Sequence, residues 1–237
     1  MTSSSTNLVS IEDLHVWRGE AHILHGVSFD VPKGQVTALL GRNGVGKTTT
    51  LLALLGLLPA TGSAAMGDAE LVNQPTHENA RRGIGYVPED REVFSGLTVK
   101  ENLRLAERPG VKHRYDLVYE LFPDLAQRPN QEAGTLSGGQ QQMLALGRVL
   151  LNPNELLLVD EPTKGLAPII VEGVVQALHK ATAESTVLLV EQNLAVATEL
   201  ATDAVVLDQG RVVFTGTMAG LVADPALTGR HLGVEVR

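Results

Sequence analysis

The stretch GRNGVGKT, from Gly41 to Thr48, constrains the fold of this chain more than any other. It fits the pattern G-x-x-x-x-G-K-[ST], and it lies between the apolar run QVTALL (35–40) and a helical pattern that begins near Gly46. Glycines at such a turn let successive backbone N–H groups converge on phosphate oxygens, and the helix N-terminus adds favourable partial charge. The stretch therefore predicts a nucleotide-binding loop between a strand and a helix; an ordinary glycine turn is the alternative.

Each part of this loop has an expected role. Lys47 is predicted to reach the β- and γ-phosphates of ATP, the Thr48 hydroxyl to ligate Mg²⁺, and Thr49 to contact a further phosphate. ATP and Mg²⁺ are thus the expected cofactors. The other predicted nucleotide-binding positions of the loop are Gly41, Arg42, Asn43, Gly44, Val45 and Gly46.

Hydrophobic patterning predicts an α/β fold with a mainly parallel core sheet. Short apolar runs rich in β-branched residues alternate with helical patterns along much of the chain. The N-terminal runs 7–17 and 26–31 alternate as strands of a more antiparallel β region. Residues 98–151 are mostly helical in pattern and predict an inserted helical subdomain at about 90–150. Residues 203–216 predict a hairpin that turns at Gln209-Gly210.

Composition excludes several classes of protein. The chain has no cysteine, which excludes disulfides and thiolate metal sites. Its formal net charge of -8 argues against broad nucleic-acid binding. The apolar stretch 51–58 is far shorter than the roughly 20 residues that cross a bilayer, and the polar start lacks the apolar run of a signal peptide. We expect a soluble intracellular protein in which residues 1–7 form a flexible tail and residues 8–237 a single ATP-binding domain.

Two carboxylates end the apolar run ELLLVDE (155–161). Because burying an unpartnered carboxylate is costly, Asp160 and Glu161 are expected at the C-terminal end of a strand, in a crevice beside the phosphate loop. Asp160 is predicted to hold Mg²⁺, and Glu161 to be the general base that polarises the attacking water. A pair of solvated acids that opens a loop is the alternative.

A third motif, LSGGQ at residues 136–140, precedes a helical run. In the order GRNGVGKT, LSGGQ and LLLVDEPT, the three motifs resemble the ATP-binding cassette of ABC transporters, from about Leu8 to Gly216. The resemblance implies a P-loop NTPase fold with a RecA-like core and two cassettes packed head to tail. In that arrangement the signature contacts the nucleotide held by the partner cassette through Ser137, Gly138, Gly139 and Gln140. A helix cap at Ser137 fits the motif as well but leaves the paired glycines unexplained.

The same resemblance implies a set of partners and a location. The partners are a second cassette (a different subunit or a second copy), two transmembrane permease subunits and, indirectly, an extracytoplasmic substrate-binding protein. The implied location is the cytoplasmic face of the cell membrane. Phe94 and Leu97 fall in the region that meets the membrane subunit in this family, and core packing is their alternative role.

Several positions depart from the family's commonest pattern. The resemblance implies a metal position at Glu89, which stands where a glutamine usually senses Mg²⁺, and a catalytic position at Gln192, where a histidine usually contacts the γ-phosphate. Pro168 stands where an aspartate usually faces the partner cassette. For stacking on adenine, Trp17 and Arg18 both remain candidates.

These departures bear on catalysis. Gln192 can donate an amide hydrogen bond but cannot carry a proton away, so Glu161 is expected to do the proton transfer unaided. A degenerate site that does not hydrolyse ATP is the alternative.

The departures also indicate which subfamily of ABC cassettes the chain resembles. YVPED, GLAP and VEQN together resemble the cassettes of importers for branched-chain amino acids, while HILHGVSF and GRNGVGKTT are similar to urea and short-chain amide members. An ABC-type ATPase without a transport role is the remaining alternative, although the stretch between Thr48 and Ser137 is too short for a long coiled coil. His22 and His25 are expected to be structural, because no third ligand lies nearby in the sequence.

Overall fold

A computed structural model describes residues 7–233. Asn7 is the first residue of a strand, so the predicted tail over residues 1–7 otherwise lies outside the described residues. The strands are β1 Asn7–Arg18, β2 Ala21–Pro32, β3 Val36–Leu40, β4 Ala60–Met66, β5 Ala69–Glu70, β6 Ile84–Val87, β7 Leu156–Asp160, β8 Thr186–Val190, β9 Asp203–Asp208 and β10 Arg211–Thr217. The helices are α1 Lys47–Leu54, α2 Thr76–Arg81, α3 Val99–Leu105, α4 Tyr115–Leu121, α5 Pro123–Gln127, α6 Gly138–Leu150, α7 Pro168–Thr182, α8 Leu194–Leu200, α9 Met218–Val222 and α10 Pro225–Leu232.

Two sheets form the framework. Strands β2, β1, β4 and β5 lie in that order in an antiparallel sheet, which confirms the predicted N-terminal β region. The core sheet has the order β10-β9-β3-β8-β7-β6, and all its strands except β10 are parallel. The hairpin of β9 and β10 turns at Gln209 and Gly210, whose φ angles of 47° and 73° suit a tight two-residue turn. The mainly parallel α/β core is therefore confirmed.

The core sheet is buried on both faces. Alternate residues of its strands point to opposite sides, so Ala38 and Leu40 pack with the helices while Leu39 packs toward the antiparallel sheet. Leu157 and Leu158 divide in the same way on β7. This two-sided burial explains why β3, β7 and β8 are mostly apolar and do not alternate with polar residues.

Four helices, α3 to α6, stand between β6 and β7, where the sequence pattern predicted a helical insertion. Leu103, Val118, Phe122 and Leu144 anchor them in the helix-side core. The division of residues 8–237 into one domain with a subdomain at about 90–150 stays a prediction. Within residues 7–233, none of the helices combines the length and the apolar character that a membrane span requires.

The strand order decides where polar side chains meet. The glycine-rich loop follows β3, the acidic pair closes β7, and residues 191–193 follow β8, which lies between these two strands. Since parallel strands point the same way, all three segments emerge at one edge of the sheet. In open α/β sheets this edge, outside the carboxyl ends of the strands, is where ligands bind.

Candidate functional site

Two glycines give the phosphate loop its shape. Gly41 has φ 147° and Gly46 has φ 112°, angles that side-chain-bearing residues rarely adopt. A Cβ at Gly41 would collide with the Leu207 carbonyl oxygen, and one at Gly46 would stand 2.5 Å from the Leu24 side chain. The loop is thus pressed between β2 and β9 and leads straight into α1, whose first residue is Lys47.

Lys47 lies across this loop and is 4% exposed. Its Nζ donates hydrogen bonds to the Gly41 carbonyl at 2.9 Å and the Arg42 carbonyl at 3.1 Å, and it is 3.4 Å from Glu161 Oε1. The ammonium is therefore held by the loop itself and by one carboxylate. A phosphate that entered the loop would meet a cation already in place.

Asp160, the last residue of β7, is fully buried. Neither of its carboxylate oxygens accepts a hydrogen bond. The Asp160 pKa is raised to about 6, chiefly by burial. The nearby Thr48 hydroxyl lowers this pKa, although its geometry falls short of a hydrogen bond, and the charges of Glu161 and Glu89 raise it. An unpartnered buried carboxylate is costly, and a bound cation would supply the partner it lacks.

The donor set at this position fits Mg²⁺. A carboxylate and a hydroxyl are hard oxygen ligands, and Mg²⁺ is commonly bound by one or two carboxylates together with substrate phosphates. Over residues 7–233 no three histidine or acidic side chains form a ready-made metal cluster. Asp160 and Thr48 therefore suit a cation that arrives with a nucleotide.

Glu161 is held in an unusual backbone conformation. Its φ is 42°, and its N–H donates to the Val190 carbonyl at 2.9 Å, which ties it to β8. The side chain is 7% exposed and lies between two lysines, with Lys47 Nζ at 3.4 Å from Oε1 and Lys164 Nζ at 3.4 Å from Oε2. Strained residues of this kind cluster at functional sites, where the surrounding structure holds them.

A cleft of about 440 Å³ lies at this edge of the core sheet, and Asp160 is not among the residues that line it. It is lined by Arg18, Ile23, Asn43, Gly44, Gly46, Lys47, Thr48, Thr49, Glu89, Glu161 and Lys164. The structure thus brings most of the predicted phosphate-site residues together. Gly41, Arg42 and Val45 complete the loop without lining the cleft.

Trp17 and Arg18 differ in their surroundings. Arg18 lines the cleft, whereas Trp17 does not. The indole lies flat on the His22 ring, with centroids 4.2 Å apart and an interplanar angle of 4°, and it is 42% exposed. His22 also packs against His25 at 4.0 Å. Both histidines therefore belong to a ring cluster, and their structural role stays a prediction.

The signature residues lie outside the chain's own cleft and begin α6. The Ser137 hydroxyl accepts the Gln140 N–H at 3.3 Å, and Gln140 Oε1 accepts the Ser137 N–H at 3.0 Å, forming a capping box. Gly138 lies against the Arg91 guanidinium, and Gly139 against the Ile170 side chain. The predicted cap is present, and none of the four signature residues lines the cleft.

Gln192 is exposed between β8 and α8 and also lies outside the cleft. Its neighbour Glu191 is 2% exposed and was missed by sequence reasoning. Glu191 accepts hydrogen bonds from the Thr163 hydroxyl at 2.7 Å and from the N–H groups of Gln192 at 3.1 Å and Asn193 at 3.2 Å. Burial raises the Glu191 pKa. Glu191 could have been identified from the sequence because it is an acidic residue at the end of an apolar run, the same signal that identified Asp160.

Lys164 was missed as well. It stands three residues after Glu161 and forms a close ion pair with Glu89, which is 75 residues away in the sequence. The hydrogen bond with Glu89 and the Glu161 charge raise the Lys164 pKa. Glu89, predicted as a metal position, is therefore paired with a cation of the chain itself.

A glycine-rich phosphate loop and an acidic pair at one edge of a parallel sheet define a P-loop nucleotide-binding protein. The chain belongs to the ABC transporter family, whose model matches residues 24–164. Nucleotide binding and ATPase activity follow from this membership, and the expected family and fold are confirmed.

Individual relatives agree with this placement. The chain is 43% identical to the high-affinity branched-chain amino acid transport ATP-binding protein BraG of Pseudomonas aeruginosa, over 95% of this chain and 100% of that protein. It is 39% identical to the probable branched-chain amino acid transport ATP-binding protein LivF of Archaeoglobus fulgidus, over 91% of this chain and 94% of that protein. A nucleotide-free ATP-binding cassette from an ABC transporter superposes with a TM-score of 0.82 at 23% identity, covering 97% of this chain and 99% of the other, which shows the fold.

Proposed function

We propose that this chain is the ATP-hydrolysing subunit of an importer for branched-chain amino acids, bound peripherally to the cytoplasmic face of the membrane. The observation that carries the catalytic part is the fully buried, unpartnered Asp160, which immediately precedes Glu161, the carboxylate paired with Lys47. The relatives BraG, a high-affinity branched-chain amino acid transport ATP-binding protein, and LivF, a probable one, support the substrate class. No side chain of this chain need contact the transported molecule, because that contact belongs to the permease and binding-protein partners.

The chain's own residues divide the work of hydrolysis. The loop N–H groups bind the phosphates, and Lys47 exchanges its carbonyl contacts with Gly41 and Arg42 for phosphate oxygens. Mg²⁺ held by Asp160 and the Thr48 hydroxyl would neutralise phosphate charge in the transition state. Once Lys47 has left Glu161 for the phosphates, Glu161 accepts the proton of the attacking water.

The second cassette supplies what this cleft lacks. Ser137 to Gln140 lie outside the cleft, at the start of a helix of 13 residues whose N-terminal N–H groups attract anions. In a head-to-tail pair these groups would close over the nucleotide of the partner cassette. The partner is a different subunit or a second copy of this chain.

A surface for the permease lies between the core and the helical insertion. Phe94 is 48% exposed and stacks on Arg148, whose guanidinium carbon is 4.8 Å from the ring centroid. It borders a groove of about 310 Å³. Leu97 is half-buried, and its carbonyl accepts the Ala133 N–H at 2.8 Å and Asn102 Nδ2 at 3.2 Å. Phe94 is therefore the stronger of the two predicted contacts.

The catalytic proposal is tested by the Glu161→Gln variant, assayed with the copurified partner subunits. We expect ATP binding to persist and steady-state hydrolysis to fall about a hundredfold or more, because the general base is removed. Glu155→Gln is the matched control, since exposed Glu155 immediately precedes the same strand at its opposite end. Undiminished hydrolysis by the Glu161→Gln variant would remove this residue from the proposed role.

The substrate class is tested by uptake into vesicles that contain the complete complex. Accumulation of labelled leucine, isoleucine or valine that requires ATP inside the vesicle is the expected result. Uptake of urea or short-chain amides alone would move the chain to that group of importers. Copurification with ribosomes in place of membrane subunits would refute the transport role.

A further inference from the structure

Lys164 connects two carboxylates across the mouth of the cleft. Its ammonium forms a close ion pair with Glu89 and lies 3.4 Å from Glu161 Oε2. Lys47 lies 3.4 Å from the other oxygen, Oε1. Each carboxylate oxygen of Glu161 therefore faces a different lysine in the nucleotide-free chain.

ATP binding is expected to affect the contacts of the two lysines with Glu161 differently. Lys47 starts the helix after the phosphate loop, and phosphate oxygens compete for its ammonium. Lys164 follows Glu161 by three residues, so it stays within reach of the carboxylate and is half-exposed. Within residues 7–233 it is the remaining lysine beside Glu161 once Lys47 has turned to the nucleotide.

An ion pair with Lys164 would reduce the ability of Glu161 to act as a general base. The carboxylate must accept a hydrogen bond from the attacking water, and a lysine at Oε2 occupies one of the oxygens that can do so. Glu89 draws the same ammonium away from Glu161. The closer contact is the one to Glu89, so the position of Lys164 depends on the negative charge at residue 89.

We propose that Lys164 is a positioning residue that restrains the Glu161 carboxylate, and that Glu89 sets the strength of this restraint by holding Lys164. The inference rests on the proposed role of Glu161 as general base. It also assigns a role to the acidic residue at position 89, because with a neutral glutamine there Lys164 would form its ion pair with Glu161 alone.

A double-mutant cycle tests the inference in the assembled complex at saturating ATP. Lys164→Gln is expected to raise kcat about two- to fivefold, the factor that corresponds to a partly exposed ion pair. Glu89→Gln is expected to lower kcat by a similar factor. The variant that carries both substitutions should match Lys164→Gln alone, because the proposed effect of Glu89 on Glu161 acts through Lys164. Lys164→Arg keeps the charge and is expected to restore values near those of the wild type.

Two further readouts do not depend on turnover. ATP affinity in EDTA, measured by equilibrium dialysis for Lys164→Gln and Lys164→Arg, separates any effect of the lost cation on binding from the change in kcat at saturating ATP. The urea midpoint of the nucleotide-free chain in EDTA should show coupling between residues 89 and 164. A structural ion pair alone would give this coupling without the opposite effects on kcat.

The outcomes separate this inference from the proposed function. Effects of Glu89→Gln and Lys164→Gln that multiply independently, or a lower kcat for Lys164→Gln, would overturn the positioning role while Glu161→Gln remains inactive. If Glu161→Gln still hydrolyses ATP, the role of the base fails, and the positioning role fails with it.

Discussion

Replacing Asp160 by asparagine should stabilise the nucleotide-free protein, although it removes a predicted magnesium ligand. The carboxylate is fully buried, and neither oxygen accepts a hydrogen bond. An amide has nearly the same shape and carries no charge. The substitution therefore removes a desolvated charge that only a bound cation would compensate.

The size of the effect follows from the Asp160 pKa, which burial raises from 3.8 to about 6. A folded-state pKa above the unfolded value means that the folded protein binds the proton more tightly. The ionised carboxylate thus destabilises the fold as pH rises above the unfolded value, and the full cost is present above the folded value. At 1.36 kcal/mol per unit, the shift corresponds to about 3 kcal/mol near neutral pH.

The assay is urea unfolding in EDTA without nucleotide, for the wild type and the Asp160→Asn variant. The variant should have the larger free energy of unfolding, by about 3 kcal/mol near pH 8 and about half of that near pH 5. Asp68→Asn, at an exposed turn, serves as the control. A variant that is less stable than the wild type at both pH values, or a difference that does not shrink at the lower pH, would refute the reasoning.

Two further predictions concern the surface and the adenine contact. Phe94→Ala should leave ATP binding by the isolated chain unchanged and reduce transport by the complex about tenfold or more, since the loss of an exposed aromatic anchor weakens an interface; unchanged vesicle uptake would contradict this contact. Arg18 lines the cleft, so Arg18→Ala should weaken ATP binding about three- to tenfold. The only tryptophan, Trp17, stacks on His22, so ATP should barely alter its fluorescence. Strong quenching by ATP with intact affinity of the Arg18→Ala variant would assign the adenine contact to Trp17.

Local sequence predicts those parts of the site that are contiguous in the chain. Gly41 to Thr48 are contiguous, and the apolar run before Asp160 indicates a strand covered on both faces. The hairpin at Gln209 and Gly210 follows from its turn residues in the same way.

Contacts between distant segments could not be predicted in this way. The pairing of Lys164 with Glu89 joins residues 75 positions apart, and it depends on β6 lying beside β7 in the core sheet. The choice between Trp17 and Arg18 depends on which face of β1 looks toward the loop, and a shift of one residue in register reverses that choice. Both features come from tertiary packing rather than from any local pattern.

We expect the signature of one cassette to close over the nucleotide of its partner, and a single thiol tests this arrangement directly. The chain has no cysteine, and Ser137 is exposed, so Ser137→Cys introduces one accessible thiol. Its rate of labelling is measured with and without ATP, first in the dilute isolated chain that equilibrium dialysis shows to bind ATP, and then in the assembled complex. We predict that ATP protects the thiol only in the complex. Equal protection in the isolated chain would contradict this arrangement, because the signature would then cover the chain's own nucleotide.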